Sequence, residues 1–470
     1  MITASQKHRY LHCSALRQRD AWISPAYVEL DAQGIIVGIS NTANPDVEEW
    51  EAVLGLVIPG FQNAHSHAFQ YVMAGLAEYQ PKGRVGDNFW AWREAMYRCA
   101  LQITPEDMQA VATMAYAEMV RHGYTAVAEF HYLHHDQDGH FYSDPAEMSR
   151  RLIAAAEAAG IHLTLIPVLY QRNNFADPAS REQRRFLHAN IDDYLNLLSA
   201  AGRAAAAVPG TIIGRGVHSL RAVAPAEIIQ VLGGAFTGPA HLHIAEQPSE
   251  VEHCLKATGQ RPVAWLLQHL QLDQRFSLIH ATHLDQTEIR DLATSKAIVV
   301  LTPSSEGNLG DGLFSLPAYW QLGGRVAIGS DSQVTLSPLE ELRWLDYSQR
   351  LYALRRQVLS INPGQEYGDE LITVAWTQGR LAMGQKADEF FAVGEAFDAA
   401  VIDPEHPAIY GKGESSCLSA LVYSGSSDCL LGTMRRGRWV AKSGRHLGQE
   451  AIRREYHAAI DAKNARVPSA

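Results

Sequence analysis

Eight times along this chain a short run rich in Val, Ile and Leu is followed by an amphipathic stretch with helix punctuation. That alternation constrains the fold more than any other feature. The runs are LGLVIPGF (54–61), TAVAEFHY (125–132), IHLTLIPVLY (161–170), TIIGRGVH (211–218), AHLHIA (240–245), FSLIHATH (276–283), AIVVLTP (297–303) and RVAIGSD (325–331). Near-continuous apolar content marks strands buried on both faces, as in parallel sheets. The stretches between them carry helix ends. Thr104 can cap, Pro105 suits a first turn, and Glu106 and Asp107 suit a positive N-terminus. Met108, Val111, Ala115 and Met119 then mark one face, and Gly123 stops the helix; MSRRLIAAAEAA stops at Gly160 in the same way. Eight β-then-α units predict an α/β fold, a TIM-like (β/α)8 barrel, in preference to an open sheet.

The chain has 470 residues, whereas such a barrel needs about 250. The surplus falls in flanks and insertions. Residues 1–57 and 390–447 hold short alternating pieces (AWISPAYVEL, GIIVGIS, DAAVIDP, RWVAKSGR) and predict a small β-sandwich domain built from both chain ends. The barrel is expected over 58–389, and a C-terminal helix and tail over 448–470. Two insertions follow strand ends on the face where barrels carry chemistry. Residues 68–103 are aromatic-rich (Phe69, Tyr71, Tyr79, Phe89, Trp90, Trp92, Tyr97), and residues 171–190 are polar and Arg-rich.

Charge and composition exclude some classes. A net charge of −11 argues against nucleic acid as the main partner. No run approaches the roughly 18 apolar residues that cross a bilayer, so no membrane association is expected. The N-terminus lacks the apolar core of a secretory signal. Five cysteines (Cys13, Cys99, Cys254, Cys417, Cys429) form no CxxC pair, which points to buried thiols in a reducing, cytoplasmic compartment.

Chemistry concentrates at the strand ends. In Asn63-Ala64-His65-Ser66-His67 two histidines stand at i and i+2 on an extended chain and point to the same side. His243 ends the fifth run, His283 the sixth and Asp331 the eighth. Imidazole and carboxylate donors gathered on one rim suit zinc and similar cations, with a coordination position left for water.

HxH after strand one, His after strands five and six, and Asp after strand eight resemble the amidohydrolase superfamily, and the likeness spans nearly the whole chain. The resemblance implies that His65, His67, His243 and Asp331 bind one divalent metal, zinc by family habit with iron as the alternative. Binuclear members carry a lysine at the end of strand four. This chain reads GRGVHSL there, so the site is expected to be mononuclear. Such a metal brings the pKa of water toward neutrality. Asp331 and His283 are then expected to take and orient the water proton, and Glu246, three residues after His243, to protonate the leaving nitrogen. His241 and His280 are expected to pack or to support the ligands.

Further segments are more specific: HSHAFQ (65–70), DNFWAWREAMYR (87–98), VHSLRAV (217–223), HIAEQ (243–247), EGNLGDG (306–312) and IGSDSQVTLSPLEELRWLDYSQRL (328–351). Together they resemble the formimidoylglutamate deiminases. The resemblance implies hydrolysis of N-formimino-L-glutamate to N-formyl-L-glutamate and ammonia in histidine degradation, by a homodimer acting on a small anionic dicarboxylate. Arg221 is the expected carboxylate clamp. His218, Gln70 and Tyr132 are expected to bind substrate, with Arg84 and Arg93 as further cations. Trp90 and Trp92 are expected to pack the loop or a dimer contact. The chain departs from the family pattern at Tyr71 (often Arg), Val217 (often Pro) and Gly307 (often Ala), which leaves room for a shifted side-chain preference. The rival readings are a related formimino-amino acid, a guanine-like or aminotriazine ring, or the ring opening of an imidazolonepropionase. A non-catalytic scaffold would be expected to have lost ligands that this chain retains.

Overall fold

The computed structural model describes residues 8–78, 89–332, 334–359, 364 and 366–466. Eight parallel strands pair in chain order: Phe61–Ser66, Tyr124–His131, His162–Leu169, Arg215–Ser219, Ala240–Ile244, Phe276–His280, Ile298–Leu301 and Arg325–Ile328. A bridge between Ser66 and Asp331 joins the first strand to the chain just beyond the eighth and closes the ring. Every residue of the second, fifth, sixth and seventh strands is buried. Helices cover the outside and the next strands cover the edges, so no position is left for polar alternation.

The expected first barrel strand, 54–61, is corrected. Glu51–Pro59 belongs to a second sheet, where it pairs parallel with Arg9–Arg17 and antiparallel with Ala399–Ile402. The chain changes sheets at Gly60. A Cβ there would lie 2.1 Å from Thr125 Cγ2, so only glycine allows this approach. The true first strand, FQNAHS, is mostly polar, and a search for apolar runs stops just where it begins.

The second sheet has nine strands, drawn from both chain ends as expected. The strands of the expected sandwich are hydrogen-bonded as one sheet, which runs from Arg445–His446 through Ala399–Ile402 and Glu51–Pro59 to Ile36–Ser40. Its core gathers Leu11, Val28, Val57, Trp376, Phe390 and Phe397. A helix that composition did not announce, Gly413–Ser424, interrupts the returning strands. It packs on helices Pro338–Ala353 and Tyr367–Ala382. The C-terminal helix, Gln449–Ala465, lies on helix Pro105–Arg121.

Helix Pro105–Arg121 starts as its sequence demands. Thr104 Oγ1 accepts from Asp107 N at 3.1 Å, and Asp107 Oδ2 accepts from Thr104 N at 2.9 Å. Met108, Val111, Ala115 and Met119 are all buried. Burial of each larger apolar side chain contributes about 1.5–3 kcal/mol. Gly160 takes a left-handed conformation, φ 67°, at the end of helix Glu147–Ala159.

Arg185 fixes the two insertions against each other. It is fully buried, and its guanidinium donates to the carbonyls of Ala100, of Ile103 at 2.7 Å and of His135 at 2.8 Å. It thereby ties the Arg-rich segment to the end of helix Phe89–Ala100, which leans over the barrel mouth. All five cysteines are free thiols. Among the described residues no helix is long and apolar enough to cross a membrane.

Candidate metal centre and active site

The centre is built at the closing seam. Asp331 N donates to His65 O at 2.9 Å, and His67 N donates to Asp331 O at 2.8 Å. Below them Asn63 Nδ2 donates to Ser330 Oγ at 2.8 Å, and Ser330 N donates to Asn63 Oδ1 at 3.0 Å. Gly329 completes the joint, because a Cβ there would sit 2.8 Å from both His65 Cβ and His65 O. Asn63 therefore stitches the last strand to the first, a role the NAHSH motif did not announce.

His65, His67, His243 and Asp331 are all buried, and one ligand atom from each lies within 4.8 Å of the others. His65 Nε2 is 3.2 Å from His67 Nε2, 3.2 Å from His243 Nε2 and 3.2 Å from Asp331 Oδ1. Asp331 Oδ1 is 3.3 Å from His67 Nε2. The tautomers follow from the outer nitrogens. His67 Nδ1 donates to Phe130 O at 2.9 Å, and His243 Nδ1 donates to His218 O at 3.1 Å. Both Nε2 lone pairs therefore face inward, toward a carboxylate, with no proton between them. Two lone pairs, a carboxylate charge and the Nε2 of His65, whose Nδ1 has no partner among the described residues, converge on one point, so the donor set fits a divalent metal ion. Burial lowers His65 to about 3 and His243 well below its ordinary value, which keeps both rings neutral as ligands. Burial alone would raise Asp331, but the imidazoles of His65 and His67 beside it outweigh that and hold the carboxyl well below the usual range.

The sixth-strand histidine is corrected. His283 lies three residues beyond the strand, and its Nε2 donates to Asp311 O at 2.8 Å. It does not line the pocket. His280 does, and it is the last residue of the strand, paired in register with Ile244. Its ring stacks on His243 with centroids 5.5 Å apart. His280 Nε2 is 3.7 Å from Glu246 Oε1, and its Nδ1 is 3.3 Å from Glu306 Oε1. Burial would lower this imidazole, yet Glu246, Glu306 and Asp331 push it up to about 10, in favour of its charged form. The signal was present in the sequence, since His280 is the first polar residue after the apolar run. His241, in contrast, packs as expected, with Nε2 2.7 Å from Ala382 O.

Four non-glycine residues at these strand ends have left-handed backbones: Ala245 (φ 50°), His280 (67°), Ala281 (49°) and Asp331 (53°). Such conformations cost about 1–3 kcal/mol each and persist where the surroundings fix them. Here they turn the strand ends inward over the metal ligands.

Around the centre lies a pocket lined by Gln70, Arg93, Tyr132, His218, Arg221 and Glu246, with Phe89, Trp92, Met96, Tyr97, Tyr170 and Leu309 as its apolar wall. Gln70 Nε2 donates to Tyr132 Oη at 2.9 Å, and its buried Oε1 has no partner among the described residues. His218 packs edge-on against Tyr170, with centroids 4.4 Å apart. Arg221 is 3% exposed, so its charge must be balanced within the protein. Its Nη1 donates to Glu250 Oε2 at 3.0 Å and its Nη2 is 3.6 Å from Glu246 Oε2, while Nε has no partner among the described residues. Glu250 also accepts from the backbone N–H groups of Ala245 and Glu246, each at 3.3 Å, and so fixes the turn after the fifth strand. No spacing rule in the sequence pointed to Glu250. Arg93 donates to Asn173 Oδ1 at 3.1 Å and faces the pocket from helix Phe89–Ala100. Trp92, expected as a packing residue, also lines the pocket. Arg84, Tyr79 and the side chain of Trp90 lie outside the described residues.

The sequence profile of the Amidohydrolase family matches residues 56–440. The chain belongs to this family. A formimidoylglutamate deiminase from Pseudomonas aeruginosa is 43% identical over 439 residues, which covers 93% of this chain and 95% of that protein. A 5-methylthioadenosine/S-adenosylhomocysteine deaminase from Desulfovibrio desulfuricans is 26% identical, over 83% of this chain and 80% of that one. Among solved structures, an amidohydrolase from Brucella melitensis superposes with a TM-score of 0.89 at 38% identity, over 97% of this chain and 100% of that chain. An adenosine deaminase from Xanthomonas campestris, solved with bound zinc, shares the fold with a TM-score of 0.77 at 20% identity, over 97% of this chain and 98% of that one. Family and relative together make this amidohydrolase a hydrolase of carbon–nitrogen bonds.

Proposed function

We propose that this amidohydrolase hydrolyses the formimino group of N-formimino-L-glutamate, giving N-formyl-L-glutamate and ammonia. The observation that carries the reading is the 43% identity to a formimidoylglutamate deiminase over nearly both full lengths. The pocket supports it, because two arginines, Arg93 and Arg221, stand beside Glu246 and the metal ligands.

The formimino carbon is an sp² centre bonded to two nitrogens. Water oxygen adds to it, the bond to the terminal nitrogen breaks, and both water protons leave on that nitrogen as ammonia. A divalent metal held by His65, His67, His243 and Asp331, zinc in this reading, supplies the Lewis acidity that brings water's pKa toward neutrality. Asp331 takes a proton from the attacking water. Glu246 carries a proton to the departing nitrogen. His280, held between Glu246 and Glu306, orients the Glu246 carboxylate and balances its charge. Arg221 and Arg93 receive the substrate carboxylates, and the Gln70 carbonyl and Tyr132 hydroxyl bind along its polar edge. A cytosolic location belongs to this reading, and the free thiols support it. The homodimer implied by the family likeness belongs to the same reading, and helix Pro338–Ala353 and the residue after it expose Leu351, Tyr352 and Leu354.

The aromatic wall favours a second reading, a ring substrate stacked on Phe89, Trp92 and Tyr97. The test is ammonia release by zinc-loaded protein from N-formimino-L-glutamate, N-formimino-L-aspartate, guanine and adenosine, with the formyl product identified. Turnover of the glutamate compound with little on the rings is expected. Turnover of a ring amine alone would overturn the assignment and leave the metal centre standing.

A further inference from the structure

A second set of nitrogen, sulfur and oxygen donors converges away from the pocket. His406, Asp428 and Cys429 each place one ligand atom within 4.8 Å of the others. None of the three lines the catalytic pocket. Cys429 Sγ lies 3.2 Å from His406 Nδ1 and 3.8 Å from His406 Nε2, and Nε2 is 3.6 Å from Asp428 Oδ2. A tetrahedral cation at ordinary zinc distances from nitrogen and sulfur holds those two atoms about 3.5 Å apart, close to the separation of His406 Nε2 and Cys429 Sγ.

The backbone brings the donors together. Asp403 N donates to Cys429 O at 2.8 Å, which pins the segment carrying His406 to the turn carrying Asp428 and Cys429. Ser426 Oγ donates to Asp428 Oδ1 and leaves Oδ2 toward the imidazole. Cys429 is fully buried, whereas the Asp428 side chain is 71% exposed, so a cation has a path in. Between the two segments lies helix Gly413–Ser424, which packs on two helices of the barrel.

We propose that His406, Asp428 and Cys429 form a second metal site, selective for a zinc-class divalent cation. The site is structural: it clips together the two ends of the excursion that carries helix Gly413–Ser424. Thiolate, imidazole and a single carboxylate select zinc, cobalt or cadmium over magnesium and calcium, which need more oxygen donors. On binding, the Cys429 thiol proton passes to solvent. The imidazole proton moves to Nδ1, and the hydrogen bonds that Nδ1 accepts from Ala408 N and from the Cys429 thiol, each at 3.2 Å, are given up.

The chemistry of the two sites separates them, since the catalytic centre has only nitrogen and oxygen donors. The purified full-length enzyme, with its catalytic metal in place, is titrated with Co2+ while the thiolate-to-cobalt charge-transfer absorption is followed. A band that saturates at one equivalent per chain is expected. It should vanish in Cys429→Ser and weaken in affinity by about tenfold or more in Asp428→Ala, with hydrolysis unchanged in both, because loss of a direct ligand costs no less than loss of its supporting partner. No band in the parent protein, or an equal band in Cys429→Ser, would overturn the site. Should Cys429→Ser fail to fold, the partly buried His406→Ala variant takes its place, and parent-like cobalt affinity there would overturn the site equally.

Discussion

His280 and His283 stand three residues apart, and only the first faces the pocket. His280→Ala is therefore expected to lower kcat by about 10²-fold or more, the scale of an acid–base or orienting group. His283→Ala should keep most activity, and the comparison of the two kcat values checks the assignment. Glu246→Gln should lose about 10²–10⁴-fold in kcat with metal content unchanged by elemental analysis, whereas loss of metal would mean the carboxylate acts on the ligands. Arg221 has two duties that must be separated. Truncation to Ala leaves Glu250 buried without its partner, at a cost of about 3–5 kcal/mol, and also removes a cation from the pocket. A double Arg221→Met, Glu250→Gln variant is expected to recover thermal stability while KM for the dicarboxylate stays raised. Recovery of KM as well would assign Arg221 to the fold alone. The metal ligands were legible because each stands at or just beyond a strand end, where an extended or bent-in chain aims it at the rim. Glu250 was not, because it reaches Arg221 from a helix whose approach depends on tertiary packing.

Strands that are buried on both faces announce themselves, and seven of the barrel strands coincide with apolar runs. The first does not, because Asn63 and His65 are needed for the seam and the site, and function there displaced the apolar pattern. Helix Gly413–Ser424 escaped notice for a related reason. GESSCLSALVYS mixes serines with strand-forming Val and Tyr, and its helical state comes from packing on its neighbours. Gly329→Ala tests the seam. Its Cβ would overlap His65, so a loss of about 1–3 kcal/mol in denaturant unfolding is expected, together with weaker metal retention. The pairing of helices Pro303–Leu309 and Pro338–Ala353 gives a pH prediction. Glu341 is buried beneath Ser304, and burial pushes its carboxyl up to about 8 against the hydrogen bonds from Ser304. A raised folded pKa favours the fold at low pH, and that contribution fades as pH rises from about 4.5 through about 8. Melting curves should show stability falling across this window, with a flatter profile in Glu341→Gln.

At the scale of the molecule, ring closure and the metal centre use the same residues: Ser66 pairs with Asp331, and His65 and His67 exchange backbone hydrogen bonds with it. Removal of metal by chelation should therefore lower the melting temperature as well as abolish turnover, and restored zinc should recover both. An ion present at about a thousandfold above its Kd stabilises by about 4 kcal/mol. A melting temperature indifferent to chelation would separate the site from the closure. The bridge also bears on how such an enzyme can change over time. A ring of eight staves needs a hoop at one joint only, and here the hoop is the reactive centre itself. New substrates can be reached through the loops and the aromatic wall without touching that joint. A change of ligand geometry, in contrast, has to be solved as a problem in architecture before it can be tried as chemistry.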